Sequence, residues 1–164
     1  MTESADSGSH GLVELPLEFR MRIAFGCDES TPVTEAVLAD LRERGYELHV
    51  FEPEQWPEVA TKVAQAVAGG EADQGVLFCW TGTGSAMAAN KVRGVRAALV
   101  WDPWIAEGAR RWNDANVLVM SSKRTLPHDA RAILDAWFSV EHPDADETEN
   151  IARLSELDRG LEQP

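Results

Sequence analysis

From Met21 onward, short apolar runs alternate with segments whose apolar residues recur at helical spacing, and this alternation constrains the fold more than any other feature. It is typical of βαβ units built around a parallel sheet, so we predict an α/β protein. The predicted strands are residues 22–26, 46–51, 75–79, 96–100 and 116–120, and the predicted helices are residues 32–44, 57–68, 85–92, 103–112 and 127–140.

Capping residues mark the ends of several of these elements. Thr31 is predicted to be the N-cap of the first helix, because its hydroxyl can accept a hydrogen bond from a free backbone N–H, and Pro32 suits the first turn. Gly69-Gly70 is predicted to end the second helix. The element boundaries therefore follow from local chemistry as well as from periodicity.

The chain divides into three parts by composition. Residues 1–20 are polar and are predicted to form a flexible tail, whereas residues 21–140 form one α/β domain. Residues 141–164 are interpreted as a linker and a C-terminal helix of the same domain, whose narrow apolar stripe consists of Ile151, Leu154 and Leu157. A lone stripe needs a cover, so we expect this helix at a subunit interface.

Charge and composition exclude several classes of protein. The 28 acidic residues outnumber the 15 basic ones, which disfavours nucleic acid as a partner. No apolar run approaches the ~20 residues that cross a bilayer, so we expect no membrane association. Cys27 and Cys79 show no metal-binding spacing and no disulfide framework. We therefore expect a cytoplasmic protein without metal or cofactor.

The loop Cys79-Trp80-Thr81-Gly82-Thr83-Gly84-Ser85 lies where a strand ends and a helix begins, which is where open α/β sheets place ligands. Glycines at 82 and 84 allow the backbone to turn tightly and to direct N–H groups inward, forming a cradle for an enediolate or a phosphate. The alternative is that this turn merely closes a βα unit. The spacing matches neither G-x-G-x-x-G nor a P-loop, so nucleotide binding is disfavoured.

A resemblance rests on this loop. The segments 79–84, 88–91 and 94–98 resemble the C-G-T-G-x-G, A-A-N-K and G-x-R-A motifs of the type B ribose-5-phosphate isomerase and galactose-6-phosphate isomerase family, and the likeness covers residues 21–140. It implies a Rossmann-like, three-layer αβα sandwich with a five-stranded parallel sheet. It also implies homodimers or dimers of dimers that share active sites and convert aldose into ketose sugar phosphates through a cis-enediolate.

The resemblance also implies roles for individual residues. Cys79 matches the family's base, although a buried small hydrophobe is the plain alternative, and Thr81 matches the threonine that assists ring opening. Asp28 matches a contact to sugar hydroxyls, although it would also suit a helix cap. Asn113 matches an asparagine that is contributed across the dimer interface. The amides of four loop residues match the oxyanion cradle: Gly82, Thr83, Gly84 and Ser85.

Three departures from the family put its usual substrate in doubt. Glu29 replaces a phosphate-contacting histidine, so a phosphate would be repelled. Trp112 replaces the histidine that opens the sugar ring, and an indole cannot shuttle protons near neutral pH. The C-terminal arginine clamp is absent: if Arg153 is its second arginine, Glu149 occupies the first position.

Tryptophans gather at positions that line the family's cleft. They are Trp80, Trp101, Trp104 and Trp112, and Trp56 stands where the family has tyrosine. Indoles stack on sugars, planar rings and cations, although they are also ordinary core residues. Trp80 and Trp112 are therefore candidate substrate-binding residues, provided that neither of them fills the cleft.

Three functions are consistent with the sequence. The first is an aldose–ketose isomerase with an altered, open-chain substrate such as a tetrose derivative, for which ring opening needs little catalysis. The second is a binding or regulatory protein that has lost catalysis, and the third is an enzyme of another proton-transfer reaction on a hydrophobic or aromatic metabolite.

Overall fold

The computed structural model describes residues 20–160. The predicted tail therefore lies outside the described residues except for Arg20, and so does the stretch 161–164. The strands are β1 (Arg22–Cys27), β2 (Glu47–Val50), β3 (Gln74–Cys79), β4 (Ala97–Leu99) and β5 (Val117–Ser121). The helices are α1 (Pro32–Glu43), α2 (Trp56–Ala68), α3 (Thr83–Ala89), α4 (Pro103–Asn113), α5 (Pro127–Phe138) and α6 (Thr148–Gly160).

Local capping chemistry sets these boundaries largely as predicted. The Thr31 hydroxyl oxygen accepts a hydrogen bond from the Thr34 amide, and the Thr34 hydroxyl oxygen accepts one from the Thr31 amide. These two reciprocal bonds form a capping box. Gly69 ends α2 and Gly70 has a positive φ of 76°. The largest difference from prediction is in α3, which spans Thr83–Ala89 instead of 85–92. It begins two residues early because Gly82 turns the chain with a φ of 80°.

All strands of the sheet are parallel, in the order β2-β1-β3-β5-β4. From β1 the chain first adds β2 on one side of β1, and it then crosses to the other side, where β3 pairs with β1 and is followed by β5 and β4. A crevice therefore opens between the carboxyl ends of β1 and β3, where the strand order reverses. Cys27 and Phe78 are paired in register at this point, so the residues that follow them meet across the crevice.

Helices cover both faces of the sheet. Residues of α1, α4 and α5 pack with one face in a core cluster, and residues of α2 and α3 pack with the other face. Trp137 of α5 is fully buried, and its indole N–H donates to the Gln74 side chain at 2.6 Å. The three-layer αβα sandwich with a five-stranded parallel sheet is thus confirmed.

The C-terminal helix α6 lies beside α4 and buries none of its residues. Asp158 accepts a hydrogen bond from the Gly94 amide at 3.0 Å. Leu154 and Leu157 remain 41% and 53% exposed. The predicted stripe therefore exists and lies uncovered within the single chain, and its interface role stays a prediction.

Two kinds of feature are absent from residues 20–160. No helix there is long and apolar enough to cross a membrane. No group of three or more His, Cys, Asp or Glu side chains in this part of the chain is arranged to hold a metal ion.

Candidate active site

A cavity of about 490 Å³ opens at the carboxyl ends of β1 and β3. Its position follows from the strand order, because β1 delivers Asp28 and β3 delivers Cys79 to the same edge of the sheet. The Asp28 amide donates to the Phe78 carbonyl at 3.3 Å, which ties the two strand ends together. The lining residues are Asp28, Glu29, Gln55, Trp56, Cys79, Trp80, Thr81, Thr83 and Gly84.

The thiol of Cys79 lies in the wall of this cavity. Cys79 is only 4% exposed, and the Gly82 amide donates to its Sγ atom at 3.2 Å. Cys27, at the end of the neighbouring strand, is also a free thiol. Burial, and then the charges of Asp28 and Glu29, raise the pKa of Cys27 to about 11. Cys27 is therefore a neutral thiol of the core near pH 7 and does not line the cavity.

Two hydroxyl groups line the same cavity as the thiol. The Oγ1 atoms of Thr81 and Thr83 lie 2.6 Å apart, and the Thr83 amide donates to Thr81 Oγ1 at 3.3 Å. Both threonines line the cavity. A substrate oxygen in the cavity therefore meets a hydrogen-bonded pair of hydroxyls, each able to donate or accept.

Gly84 allows an indole to form part of the cavity wall. A Cβ atom at position 84 would lie 3.0 Å from two ring atoms of Trp56, so any larger residue would push the indole away. Trp56 begins α2 and is 42% exposed. Gly84 thus leaves space for the Trp56 indole in the cavity wall, in addition to its place in the backbone turn.

Asp28 has an unused acceptor. Its Oδ1 atom is buried and has no hydrogen-bond partner among the described residues. Burial raises the pKa of Asp28, while backbone amides such as that of Trp80 oppose the rise. A buried acceptor without a donor suits a ligand hydroxyl.

We expect Asp28→Asn to stabilise the fold at neutral pH. The raised pKa means that the stability contributed by this carboxyl is complete below its ordinary pKa near 4 and is lost as pH rises through the folded-state value. The variant and the native chain should therefore have similar Tm values near pH 4, and the variant should melt a few degrees higher at pH 7. Thermal unfolding across this range measures the difference, and a lower Tm of the variant at pH 7 would contradict it.

The Glu29 carboxylate is not isolated at the cavity mouth. It accepts a hydrogen bond from the Lys123 ammonium at 2.5 Å, and that ammonium lies 4.9 Å from the centre of the Trp80 ring. Trp80 is 60% exposed. Trp80 therefore supports a cation at the edge of the cavity and does not fill it.

Part of the expected site is arranged differently. Of the four residues expected to form the cradle, only Thr83 and Gly84 line the cavity. The Gly82 amide is directed to the Cys79 sulfur. Ser85 is fully buried in α3, which begins early, and its hydroxyl has no hydrogen-bond partner within residues 20–160.

Trp112 and Asn113 are not brought to the thiol within one chain. They line a second cavity of about 740 Å³ between α4, α6 and the strand β4. The rings of Trp104 and Trp112 meet edge to face there, with centres 5.5 Å apart. Neither Trp80 nor Trp112 therefore obstructs the cavity beside Cys79.

The structure adds Gln55 and Lys123, which the sequence reasoning did not single out. Gln55 is the N-cap of α2 and precedes Trp56, so its place in the wall follows from that helix. Lys123 follows β5, which neighbours β3 in the sheet. The rule that parallel strands present their carboxyl ends at one edge would have been a usable signal once the strand order was known.

Comparison with known proteins decides the family. The family model described as Ribose/Galactose Isomerase matches residues 23–156. The chain belongs to this family. It is 35% identical over 144 residues to ribose-5-phosphate isomerase B of Escherichia coli (strain K12), covering 84% of this chain and 97% of that protein. The chain is thus an isomerase of the aldose–ketose type.

Two further members of the family are informative. A D-erythrulose-4-phosphate isomerase of Pectobacterium atrosepticum is 32% identical over 128 residues, covering 74% of this chain and 84% of that protein. The structure of Clostridium thermocellum ribose-5-phosphate isomerase B superposes with a TM-score of 0.81 at 32% identity, covering 86% of this chain and 99% of that one.

Proposed function

We propose that the protein interconverts an open-chain, four-carbon aldose and its 2-ketose by proton transfer through a cis-enediolate, with Cys79 as the base. The observation that carries this proposal is the thiol in the wall of an open cavity that is also lined by Asp28, whose Oδ1 has no hydrogen-bond partner among the described residues, and by the hydroxyls of Thr81 and Thr83.

The geometry supports a complete set of proton movements. The Cys79 sulfur takes the proton from C2 of the aldose and returns it to C1, while the Gly82 amide stabilises negative charge on the sulfur. The proton on O2 must meanwhile reach O1, and the paired hydroxyls of Thr81 and Thr83, which line the same cavity, can accept and donate protons for this transfer. Asp28 accepts a hydrogen bond from a further hydroxyl of the substrate.

Trp112 favours a short substrate. A tetrose substituted at its fourth carbon has no free O4 with which to close a five-membered ring, whereas ribose 5-phosphate closes through O4. An enzyme for such a tetrose needs no acid or base for ring opening, so an indole is tolerated at position 112. The relative named D-erythrulose-4-phosphate isomerase supports this size class.

A homodimer would complete the site. Asn113 lies in the second cavity of its own chain, beside the uncovered stripe of α6 that includes Leu154 and Leu157. In the proposed dimer, Trp112 and Asn113 of a second copy reach the thiol cavity, and the apolar stripes are buried between the copies.

The substrate class is tested by comparing kcat/KM for the aldoses D-erythrose 4-phosphate and D-ribose 5-phosphate. We expect the four-carbon aldose to be preferred by about 100-fold, because it cannot close a five-membered ring, whereas D-ribose 5-phosphate is cyclic and must be opened before the proton on C2 can be removed. A native preference for the five-carbon substrate would refute the proposal.

The variant Trp112→His tests the reason for that preference. A histidine at this position should raise the rate on D-ribose 5-phosphate by about tenfold or more, because it restores a group that can open the ring. The rate on the four-carbon ketose should stay within about twofold, since no ring has to open. An equal change on both substrates would contradict the role assigned to Trp112.

A further inference from the structure

We propose that Glu29 determines the charge specificity of the site. Its carboxylate binds the Lys123 ammonium at the cavity mouth, so a substrate whose far end is strongly anionic must displace the Glu29 carboxylate to reach that ammonium. This inference rests on the proposed function only in taking the thiol cavity as the substrate site. The Glu29 carboxylate and a ligand anion compete for the Lys123 ammonium, and this competition selects against dianionic ligands.

The ion pair lies at the cavity itself. Glu29 and Trp80 are both lining residues, and Lys123 contacts both, at 2.5 Å from the Glu29 carboxylate and 4.9 Å from the centre of the indole ring. An anion that approaches the ammonium from the cavity therefore meets a carboxylate already bound there.

The backbone fixes this arrangement. The Ser122 amide donates to the Cys79 carbonyl at 2.9 Å, and the Ser121 hydroxyl donates to the Trp80 carbonyl at 2.5 Å. The Lys123 amide in turn donates to the Ser121 hydroxyl at 3.3 Å. The backbone of Lys123 is thus tied to the loop that carries the thiol, and its ammonium contacts two residues that line the cavity, Glu29 and Trp80.

The local charge balance explains the selection. Asp28 and Glu29 supply carboxylates and Lys123 supplies one ammonium, so this end of the cavity does not favour a doubly charged group. Arg153 of α6 is held by Glu156 at 2.5 Å within its own helix. A dianion feels the repulsion of the Glu29 carboxylate twice as strongly as a monoanion, and a neutral ligand does not feel it.

Equilibrium binding tests the proposal without requiring turnover. Full-length protein carrying Cys79→Ser, with and without Glu29→Gln, is titrated by calorimetry with D-erythrulose 4-phosphate, its 4-deoxy-4-sulfo analogue and D-erythrulose. We expect Glu29→Gln to lower the Kd of the phosphate by about tenfold and of the sulfonate by about threefold, and to leave that of the neutral sugar unchanged. The gain should shrink as salt is added.

Two variants serve as controls. Glu43, the last residue of α1, does not line the cavity, and its carboxylate lies 3.8 Å from the guanidinium of Arg131 on α5. Glu43→Gln should therefore change none of the three Kd values. Lys123→Met added to Glu29→Gln should abolish the decrease in the Kd of the phosphate, because the ammonium that would bind the phosphate is gone.

The outcomes separate this inference from the proposed function. Equal effects of Glu29→Gln on all three ligands, weaker phosphate binding, or no measurable phosphate binding in either protein would overturn it. Charge-graded binding together with no turnover of any tetrose by the native protein would sustain it and refute the proposed function. Turnover of a tetrose without charge grading would do the reverse.

Discussion

The variant Cys79→Ser is expected to lower kcat for the four-carbon substrate by about 1,000-fold and to change KM little. Serine preserves the shape of the cavity wall, but its hydroxyl is a far weaker acid than a thiol and does not supply an anionic base near pH 7. Isomerisation rates measure the loss. Exchange of the substrate's C–H proton with D₂O measures the same step and should fall in parallel.

Cys27→Ser is the matched control for this prediction. Cys27 and Cys79 end neighbouring strands and are equally buried, at 4% exposure, but only Cys79 lines the cavity. The Cys27 variant should lose some stability, because a hydroxyl enters the apolar core, while its kcat stays within about threefold of the native value. Comparable activity losses in both variants, or an active Cys79→Ser, would show that the thiol at 79 is not the base.

The variant Gly82→Ala is expected to lower the free energy of unfolding by about 3 kcal/mol and to reduce kcat by about tenfold or more. Gly82 has a φ of 80°, and a Cβ atom there would lie 2.4 Å from Leu99 Cδ1 and 3.2 Å from the Met120 carbonyl. The leucine can rotate, but the β5 backbone cannot yield. The Gly82 amide would then move away from the Cys79 sulfur, so stability and activity fall together.

Gly94→Ala separates backbone strain from the steric clash. Gly94 has nearly the same φ, 83°, and a Cβ atom there would meet nothing within 4 Å. This variant should cost only about 1 kcal/mol, the strain of a left-handed residue, and should leave kcat unchanged. Urea unfolding of both variants gives the comparison. Equal destabilisation by the two variants would mean that the contact between a Cβ atom at position 82 and the β5 backbone does not lower the free energy of unfolding.

Much of the fold and part of the site could be predicted from the sequence, because the signals are local. Apolar periodicity identified all five strands and all six α-helices of the described residues but not the short 3-10 helix Ala145–Glu147, and Thr31 and Gly69-Gly70 gave two helix ends. The glycine-rich loop after β3 was recognisable as a ligand position because the turn itself requires glycine. The roles expected of Asp28 and Cys79 came instead from the resemblance to the family's motifs, which include residues at the ends of β1 and β3.

What the residues alone determined is therefore the list of elements and the polar groups at their ends. Tertiary structure decided the strand order, which helices cover which face, and which strand ends meet. Lys123 and Glu29 are 94 residues apart and pair only because β5 and β1 flank β3. Trp112 and Asn113 end α4 and line the second cavity, because α4 packs beside α6 and β4. Such contacts depend on long-range packing, which periodicity and turn chemistry do not encode residue by residue.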